Sequence, residues 1–191
     1  MSRARRVQRA NVASRSVLTV SAAPCEVARV EHHASPDLSP EPGWLPIDAA
    51  TLAGRGASFV SGAGNGNRVR VRYFTCEPEG TLAGKVWFGA DAEGRPGHVH
   101  PGSLAAVLEE AMGLAAWLSG HPVVALNVTA QFRDELPVGL VCTLGSWISS
   151  VTDQRVHARA LIAGPSGQTC ADAEGVFAVA SLPREIDGHC R

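Results

Sequence analysis

Lysine is almost absent from this chain of 191 residues: Lys85 is the single lysine, and arginine supplies the other positive charges. Acidic and basic side chains nearly cancel, so the formal net charge at pH 7 is −1. A protein that binds nucleic acid usually presents a strongly basic face to the phosphates. The composition therefore argues against nucleic acid as a partner.

Long apolar runs are also lacking, since no segment reaches the ~18 uninterrupted apolar residues of a membrane-spanning helix. We therefore expect no membrane partner. The first 25 residues contain five arginines, no acidic residue and a weakly apolar run at 17–23. This pattern fits either a targeting peptide or a flexible tail, and the shortness of the run favours the tail. We expect that tail to comprise residues 1–43, which are rich in Ser, Ala, Arg and Pro.

Cysteine is scarce and irregularly placed, with five residues and no C-x-x-C pair. An odd, scattered set predicts neither a zinc site nor a disulfide framework, and it fits a reducing cytoplasm. Cys142 and Cys170 fall in strand-like runs, where we expect them to be buried and not nucleophilic. The abundance of Ala, Gly, Val and Arg is typical of a GC-rich bacterial genome.

From residue 68 onward, the apolar residues recur with the periods of regular secondary structure. The predicted strands are 68–74, 81–88, 123–132, 140–151, 155–163 and 169–180. The first two should form a hairpin. A long helix is predicted at 103–118, ending before Gly120, and a short helix is expected near 47–52. This order predicts an α+β domain in which an antiparallel sheet packs on one long helix.

The predicted long helix is apolar on one side and made of small residues on the other. The apolar stripe comprises Leu104, Val107, Leu108, Ala111, Leu114, Ala115 and Leu118. The opposite side carries alanine and glycine around a single carboxylate, Glu109. A solvated side would carry several polar residues, so we expect a second subunit or a ligand to cover this one. The alternative is that the carboxylates reach water, which we expect of Glu110 more than of Glu109.

Segment 96–113 reads PGHVHPGSLAAVLEEAMG. It resembles the signature P-G-x-x-H-G-G-x-x-x-A-x-x-D/E-x-x-x-G of hotdog-fold acyl-CoA thioesterases of the phenylacetate-pathway type. The predicted element order is also that of a hotdog fold, an antiparallel sheet wrapped around one central helix. The resemblance implies a single hotdog domain at 44–185, with its core at 65–182 and a short tail at 186–191.

In that family, the carboxylate nine residues after the motif histidine is the general base or nucleophile at a thioester carbonyl, which implies this role for Glu109. A carboxylate partly shielded from water has a raised pKa and is a better base near neutral pH. The resemblance also implies that His100 organises the turn and that the next N–H stabilises the oxyanion. Here that position is Pro101, which has no N–H. Gly102 or the His98 side chain could replace it, or Pro101 could simply begin the helix.

Several other residues are expected near the substrate. The candidate substrate-binding residues are His98, Pro101, Ser103, Met112, Asn127 and Thr129. Relatives often carry Ser or Thr early in the strand after the helix; Ala125 takes that position here, and Asn127 or Thr129 could stand in for it. His98 and His100 could also join Asp91 as metal ligands, but no further ligand is in clear register. We therefore expect no metal and no other cofactor.

These observations leave three hypotheses. The first is a cytoplasmic homo-oligomer, either a dimer or a dimer of dimers, that hydrolyses acyl thioesters of CoA or of a carrier protein. The second keeps the fold but carries out addition, elimination or rearrangement on an acyl thioester or polyketide-like substrate, because Pro101 and Ala125 weaken the hydrolytic apparatus. The third is an acyl-binding protein without catalysis.

Overall fold

A computed structural model describes residues 35–52, 58–62, 66–76 and 81–180. The strands are β1 (Leu45–Ile47), β2 (Val69–Cys76), β3 (Thr81–Phe88), β4 (Val123–Phe132), β5 (Val141–Val151), β6 (Arg155–Ala163) and β7 (Thr169–Val179). The helices are α1 (Ala49–Leu52) and α2 (Pro101–Leu118), and a 3₁₀ turn spans Ala90–Ala92. Residues 1–34 of the predicted N-terminal tail and the whole predicted C-terminal tail at 186–191 lie outside the described residues. Both tails therefore stay predictions.

The strands form one antiparallel sheet in the order β1-β2-β3-β5-β6-β7-β4. All the predicted strands are present, with bounds that differ from the prediction by no more than two residues, and β2 and β3 form the predicted hairpin. Strand β1 was not predicted, because three residues are too few to show an alternation. It is held at the edge of the sheet by pairing with β2 and by the Trp44 ring, whose centroid lies 5.5 Å from that of Phe74.

Helix α2 ends where the sequence signals predict and begins at Pro101, two residues before the predicted start. Pro101 occupies its first position, where a missing N–H leaves no helical hydrogen bond unmade. After the last turn, Gly120 adopts a φ of 81°, and the next N–H, of His121, donates to the Ala116 carbonyl at 2.9 Å. This left-handed ending satisfies carbonyls that the helix leaves unpaired. Within the described ranges, no helix has both the length and the apolar character needed to cross a bilayer.

The sheet covers the predicted apolar stripe of α2. The buried members are Leu104, Val107, Leu108, Ala111, Leu114 and Ala115, which lie in the core between the helix and the sheet. This arrangement confirms the predicted α+β class, with a sheet wrapped around one long helix. The opposite side of the helix is covered in part by the same chain, through α1 and the segment 58–62. The same chain therefore covers part of the helix surface that we expected a second subunit or a ligand to cover.

Strand β4 lies at one end of the sheet and contains an irregularity that decides which way its side chains face. Its register with β7 shifts between Ala125 and Asn127, so Leu126 is an additional residue in the strand. After the shift, Val128 and Ala130 pack against the core. Because side chains alternate along a strand, Asn127 faces the opposite side of the sheet.

Candidate active site

A cavity of about 330 Å³ opens beside the middle of α2, between the helix, the segment 58–61 and the start of β4. We call it the Glu109 cavity. Most of its wall is apolar and includes Ala106, Leu114, Trp117, Val123, Val124 and Phe177. Glu109 and Glu110 both line it, and among the described residues they are the only ionisable groups in its wall. The side of the helix opposite the sheet is therefore a concave, apolar site that contains two carboxylates.

Glu110 is held by two hydroxyl groups of the same chain. The Tyr73 hydroxyl donates to Glu110 Oε1 at 3.0 Å, and the Ser58 hydroxyl donates to Glu110 Oε2. Both carboxylate oxygens are engaged, and the side chain is half-buried. The expectation that Glu110 simply reaches water is wrong, because β2 presents a buried hydroxyl beside it and the segment 58–62 supplies a second.

Tyr73 is the buried member of this group, with only 3% of its surface exposed. Burial is the largest cause that raises the pKa of Tyr73 well above its usual range, followed by the charge and hydrogen bond of Glu110 and then by the charge of Glu109. Tyr73 therefore stays protonated and donates its hydrogen bond. Since both carboxylates act on the phenol, Tyr73, Glu109 and Glu110 form one electrostatic group, here called the carboxylate cluster.

The turn before α2 satisfies its own backbone groups. The Gly102 N–H donates to His100 Nδ1 at 2.9 Å, and the Ser103 N–H donates to the His100 carbonyl at 2.9 Å. Pro101, at the first helical position, has no N–H to donate. None of the first three helical positions thus has a spare N–H for a bound carbonyl. The structure does not give Gly102 the predicted oxyanion role, because the His100 imidazole takes its hydrogen bond.

A second cavity, of about 290 Å³, lies at this turn and is lined by His100, Gly102 and Ser103. Its wall shares Phe59, Val60 and Ala106 with the Glu109 cavity. Glu109 follows Gly102 by seven residues, which is about 10.5 Å along a helix axis. The two cavities are therefore neighbours along one side of α2, with the segment 58–62 between them.

His98 lies away from both cavities and is a member of neither wall. Its Nδ1 is 2.9 Å from the Pro96 carbonyl, and its Nε2 is 3.3 Å from a carboxylate oxygen of Glu135. Glu135 also pairs with Arg95, which is the main cause that holds the pKa of Glu135 below its usual range. The structure therefore places His98 in a loop cluster with Arg95 and Glu135, outside the walls of both cavities.

Three further sequence candidates are not at the Glu109 cavity. Met112 is fully buried, so it belongs to the core and does not contact a substrate there. Asn127 and Thr129 are exposed, with the Thr129 hydroxyl 3.4 Å from Asn127 Oδ1. The register shift in β4 turns both of them to the other side of the sheet, whereas Ala125 lines the cavity. Neither stands in for the Ser or Thr that relatives often carry at the position of Ala125.

Cys142 and Cys170 are buried as predicted. Burial raises the pKa of the Cys142 thiol to about 12 and also raises that of Cys170. Both thiols therefore stay protonated and are poor nucleophiles. In the part of the chain that the structure describes, no three His, Cys, Asp or Glu side chains converge as a metal site requires.

Three residues of the site were not singled out from the sequence: Ser58, Phe59 and Tyr73. Tyr73 carried a usable signal, because it is the single tyrosine and falls on the inward-facing positions of a predicted strand. A buried tyrosine hydroxyl needs a hydrogen-bonding partner, and a helix glutamate is a suitable one. The Ser58 contact carried no such signal, since 52 residues separate Ser58 from Glu110.

The geometry of this domain agrees with comparisons with known proteins. Residues 96–171, which contain α2 and most of the following strands, match the family model of the thioesterase superfamily. The part of the chain from the turn before α2 to the start of β7 is thus similar to the thioesterase superfamily. The matched segment includes the turn, both carboxylates and Ala125, so the similarity extends to these parts of the candidate site.

Two mammalian relatives are similar over about half of this chain. The mouse acyl-coenzyme A thioesterase THEM5 is 32% identical over 90 residues, which are 47% of this chain and 36% of the mouse protein. The human acyl-coenzyme A thioesterase THEM5 is 30% identical over 98 residues, which are 51% of this chain and 40% of the human protein. The chain thus spans less than half the length of these relatives.

Solved structures of the thioesterase superfamily show the same fold. A crystal structure of a thioesterase superfamily protein has a TM-score of 0.55 and 26% identity, covering 57% of this chain and 53% of that one. A hypothetical thioesterase from Streptococcus pneumoniae, solved with coenzyme A, has a TM-score of 0.54 and 14% identity, covering 60% and 88%. These similarities confirm the hotdog architecture predicted from the sequence.

Proposed function

We propose that this thioesterase-superfamily domain hydrolyses acyl thioesters and that Glu109 is its general base or nucleophile. One observation carries the proposal: the carboxylate at the motif position lies in the wall of an apolar cavity, inside the segment that matches the superfamily. An apolar wall suits the acyl part of a thioester, and a carboxylate at its edge can take a proton from water.

Glu109 is a better candidate than Glu110 for this role, because Glu109 stands at the carboxylate position of the motif. Both oxygens of Glu110 accept hydrogen bonds from Tyr73 and Ser58, so that side chain links α2 to β2 and to the segment 58–62. In the proposed step, Glu109 takes a proton from water as the water oxygen attacks the carbonyl carbon. The C–S bond then breaks, and the departing thiolate takes up a proton. His100 holds the turn beside the site, and Gly102 leaves room for its imidazole.

The proposed substrate is an acyl-CoA, with an acyl carrier protein as the alternative carrier. The support for CoA is that both mammalian relatives are named acyl-coenzyme A thioesterases. The scattered cysteines and the composition support a bacterial cytoplasm as the compartment.

We also propose a homo-oligomer in which a second copy covers β4. This strand ends the sheet and exposes apolar side chains: Val124 is 56% exposed, Leu126 57% and Phe132 49%. A long apolar edge strand is a ready pairing surface, and Val124 also lines the Glu109 cavity. Light scattering after size exclusion should give a dimer or larger, and Leu126→Asp should shift it to monomer. Val151→Asp, at an exposed apolar residue outside β4, is the matched control.

The catalytic proposal is tested with Glu109→Gln. Thiol release should be measured over a panel of acyl-CoA and acyl-carrier thioesters of different chain lengths, together with thermal unfolding of each variant. We expect kcat to fall by about a hundredfold to ten-thousandfold, the usual contribution of a general base, with little change in stability. Glu174→Gln, on an exposed carboxylate far from the cavity wall, should keep wild-type turnover. Unchanged turnover in Glu109→Gln would remove that residue from the mechanism.

The geometry of the turn supports a second candidate function, in which the domain carries out non-hydrolytic chemistry on an acyl thioester. Because Pro101 has no N–H and Gly102 donates to His100, the turn has no spare donor for the oxyanion of hydrolysis. Mass spectrometry of reaction mixtures separates the candidates. Hydrolysis gives a free acid and a thiol, whereas addition, elimination or rearrangement gives a product that keeps its thioester.

A further inference from the structure

The two cavities beside α2 share part of their walls. Phe59, Val60 and Ala106 belong to both walls, and we call these three residues the junction. Val60 is buried and Ala106 is half-buried, whereas Phe59 leaves 80% of its surface exposed. A single exposed apolar side chain is ordinary on a protein surface, but this one lies in the walls of two cavities. The junction is therefore a place where one apolar ligand can contact both.

Helix α2 sets the order of the parts along this site. We call the cavity lined by His100, Gly102 and Ser103 the turn cavity. The junction follows it at Ala106, and Trp117 is the last residue of α2 in the wall of the Glu109 cavity. With a rise of about 1.5 Å per residue, Glu109 lies about 10.5 Å from Gly102 and about 12 Å from Trp117 along the helix axis. The carboxylate is thus near the middle of the combined site.

The two ends of the combined site differ in polarity. Beyond Glu109, the helix contributes only Gly113, Leu114 and Trp117 to the wall, and β4 and β7 add Val123, Val124, Ala125 and Phe177. The wall of the turn cavity instead contains the polar or charged side chains Arg68, Asp91, Glu93, His100 and Ser103. Apolar walls stabilise methylene groups, whereas amides and phosphates need hydrogen-bonding partners. A ligand with one apolar and one polar half therefore fits in a single orientation.

We propose that one acyl thioester lies along both cavities, with its acyl chain toward Trp117 and its phosphopantetheine arm over the turn, and that Trp117 limits the length of the acyl chain. CoA and acyl carrier proteins both present acyl groups on this arm, which carries amides and a phosphate. The thioester carbonyl then lies beside Glu109, where the polar and apolar parts meet. This inference rests on the proposed function and adds to it the orientation of the substrate and a residue that selects it.

Trp117 is suited to end the acyl part of the site. It is the largest side chain in the wall of the Glu109 cavity, and it packs in part against the hydrophobic core, which holds its ring in place. A methylene gained or lost in an apolar pocket changes specificity by about tenfold or more. The competing explanation is that Trp117 only supports the end of the helix. Its replacement would then change the turnover of all substrates alike.

The first test compares substrates of different length within each variant. We would measure kcat/KM for acetyl-, hexanoyl-, decanoyl- and myristoyl-CoA in wild type, Trp117→Ala and Trp147→Ala. A ratio taken within one variant does not depend on how much of the preparation is folded. We expect Trp117→Ala to raise the ratio of myristoyl- to acetyl-CoA by about tenfold or more, because loss of the indole lengthens the apolar part.

Trp147→Ala is the matched control, since Trp147 is an exposed tryptophan outside both cavity walls. It should keep the wild-type ratio. An unchanged ratio in Trp117→Ala would overturn the inference that Trp117 limits the acyl chain.

The second test concerns the arm and the junction. Ala106→Leu narrows the junction, which the arm of every substrate has to pass. We expect it to lower kcat/KM for acetyl-CoA by about tenfold or more relative to S-acetyl-N-acetylcysteamine, which lacks most of the arm. Ala105→Leu, the same change one residue away and outside both walls, should keep the wild-type ratio of these two substrates. If Ala106→Leu instead impairs only the long acyl chains, the orientation is reversed and the inference is overturned.

The two carriers are distinguished with the same variants. Hexanoyl-CoA and a hexanoyl acyl carrier protein present the same arm, so the variants should rank alike with both. The ester with the larger kcat/KM in wild type identifies the carrier. A different ranking with the two esters would contradict binding through the shared arm.

A binding measurement separates this inference from the proposed function. In S-tetradecyl-CoA and S-ethyl-CoA a thioether replaces the thioester, so nothing is hydrolysed, and isothermal titration gives the Kd of each. We expect Trp117→Ala to favour the longer ligand over the shorter one by about tenfold or more relative to wild type. If Glu109→Gln keeps wild-type turnover, the proposed role of Glu109 fails, yet the titration still decides where the alkyl chain lies. Equal effects on both ligands, or no binding to wild type, would overturn the inference.

Discussion

The polar groups of α2 have different surroundings in the two halves of the helix. At the first turn, the backbone N–H groups and the His100 side chain satisfy each other, and the chain packs tightly around them. In the middle of the helix, two carboxylates lie at an apolar cavity, and the Tyr73 and Ser58 hydroxyls donate to one of them, Glu110. The first turn is built as a cap, whereas the middle of the helix has the features of a reaction site.

The motif read from the sequence does not separate these two regions. It marks the histidine, the glycine and the carboxylate alike, although they serve different local purposes. In this chain, Pro101 replaces the glycine that directly follows the motif histidine, so one N–H donor is missing. The next N–H, of Gly102, donates to the His100 side chain that caps the helix. The comparison therefore predicts that changes in the middle of the helix affect turnover most, and that changes at the first turn affect stability most.

Among the changes that test this comparison, the largest effect is expected at Gly113, one turn after Glu109 in the wall of the cavity. A Cβ added there would meet only Phe177 Cε1, at 4.0 Å, so alanine fits. Leucine at this position would extend into the cavity beside Glu109. We expect Gly113→Leu to lower kcat/KM by about a hundredfold or more, because it displaces the substrate from the carboxylate. The measurement is steady-state thiol release at saturating and subsaturating substrate.

Gly113→Ala is the matched control for that change. It should keep turnover and raise the free energy of unfolding by about 0.5–1 kcal/mol, since glycine inside a helix is less stable than alanine. Full activity in Gly113→Leu would show that the substrate does not use the Glu109 cavity, and the contrast between the two halves of the helix would then fail.

A smaller effect, on stability instead of rate, is expected at Gly94. A Cβ added there would lie 2.9 Å from the Cα of His100, which is backbone and cannot give way cheaply. We expect Gly94→Ala to lower the free energy of unfolding by about 1–3 kcal/mol through overpacking. Chemical denaturation checks this value. A variant as stable as wild type would mean that the loop relaxes and that the first turn is less rigid than its contacts indicate.

Sequence reasoning predicted the elements of this fold closely because each long element repeats its pattern several times. The apolar stripe of α2 fixed which side the sheet covers, and the same pattern placed Glu109 on the other side. The contacts of Glu110 were beyond such reasoning, since Tyr73 is 37 residues away from Glu110 and Ser58 is 52 residues away. Periodicity indicates which side of an element a residue occupies, but it does not identify a partner that only the fold brings near.

The turn shows a second limit of the same kind. The motif indicates that His100 shapes the turn, but it does not indicate that the imidazole accepts the hydrogen bond of Gly102. Ser, Thr, Asp and Asn are the usual side chains that cap a helix in this way, and histidine is not among them. The register shift in β4 was equally hidden, and it moved Asn127 away from the site.

The smallest effect is expected from His100→Ala, which removes the side-chain cap while leaving Pro101 and Gly102 in place. Loss of an N-terminal cap lowers the free energy of unfolding by about 1 kcal/mol. Because the Gly102 N–H serves this cap, we expect kcat/KM to change by less than about tenfold, well below the effect of one lost oxyanion donor. Denaturation and thiol-release assays on the same preparation check both values. If kcat/KM fell by a hundredfold or more while the stability stayed that of wild type, the first turn would take part in the reaction. Only a direct role in the reaction explains a rate effect without a stability effect.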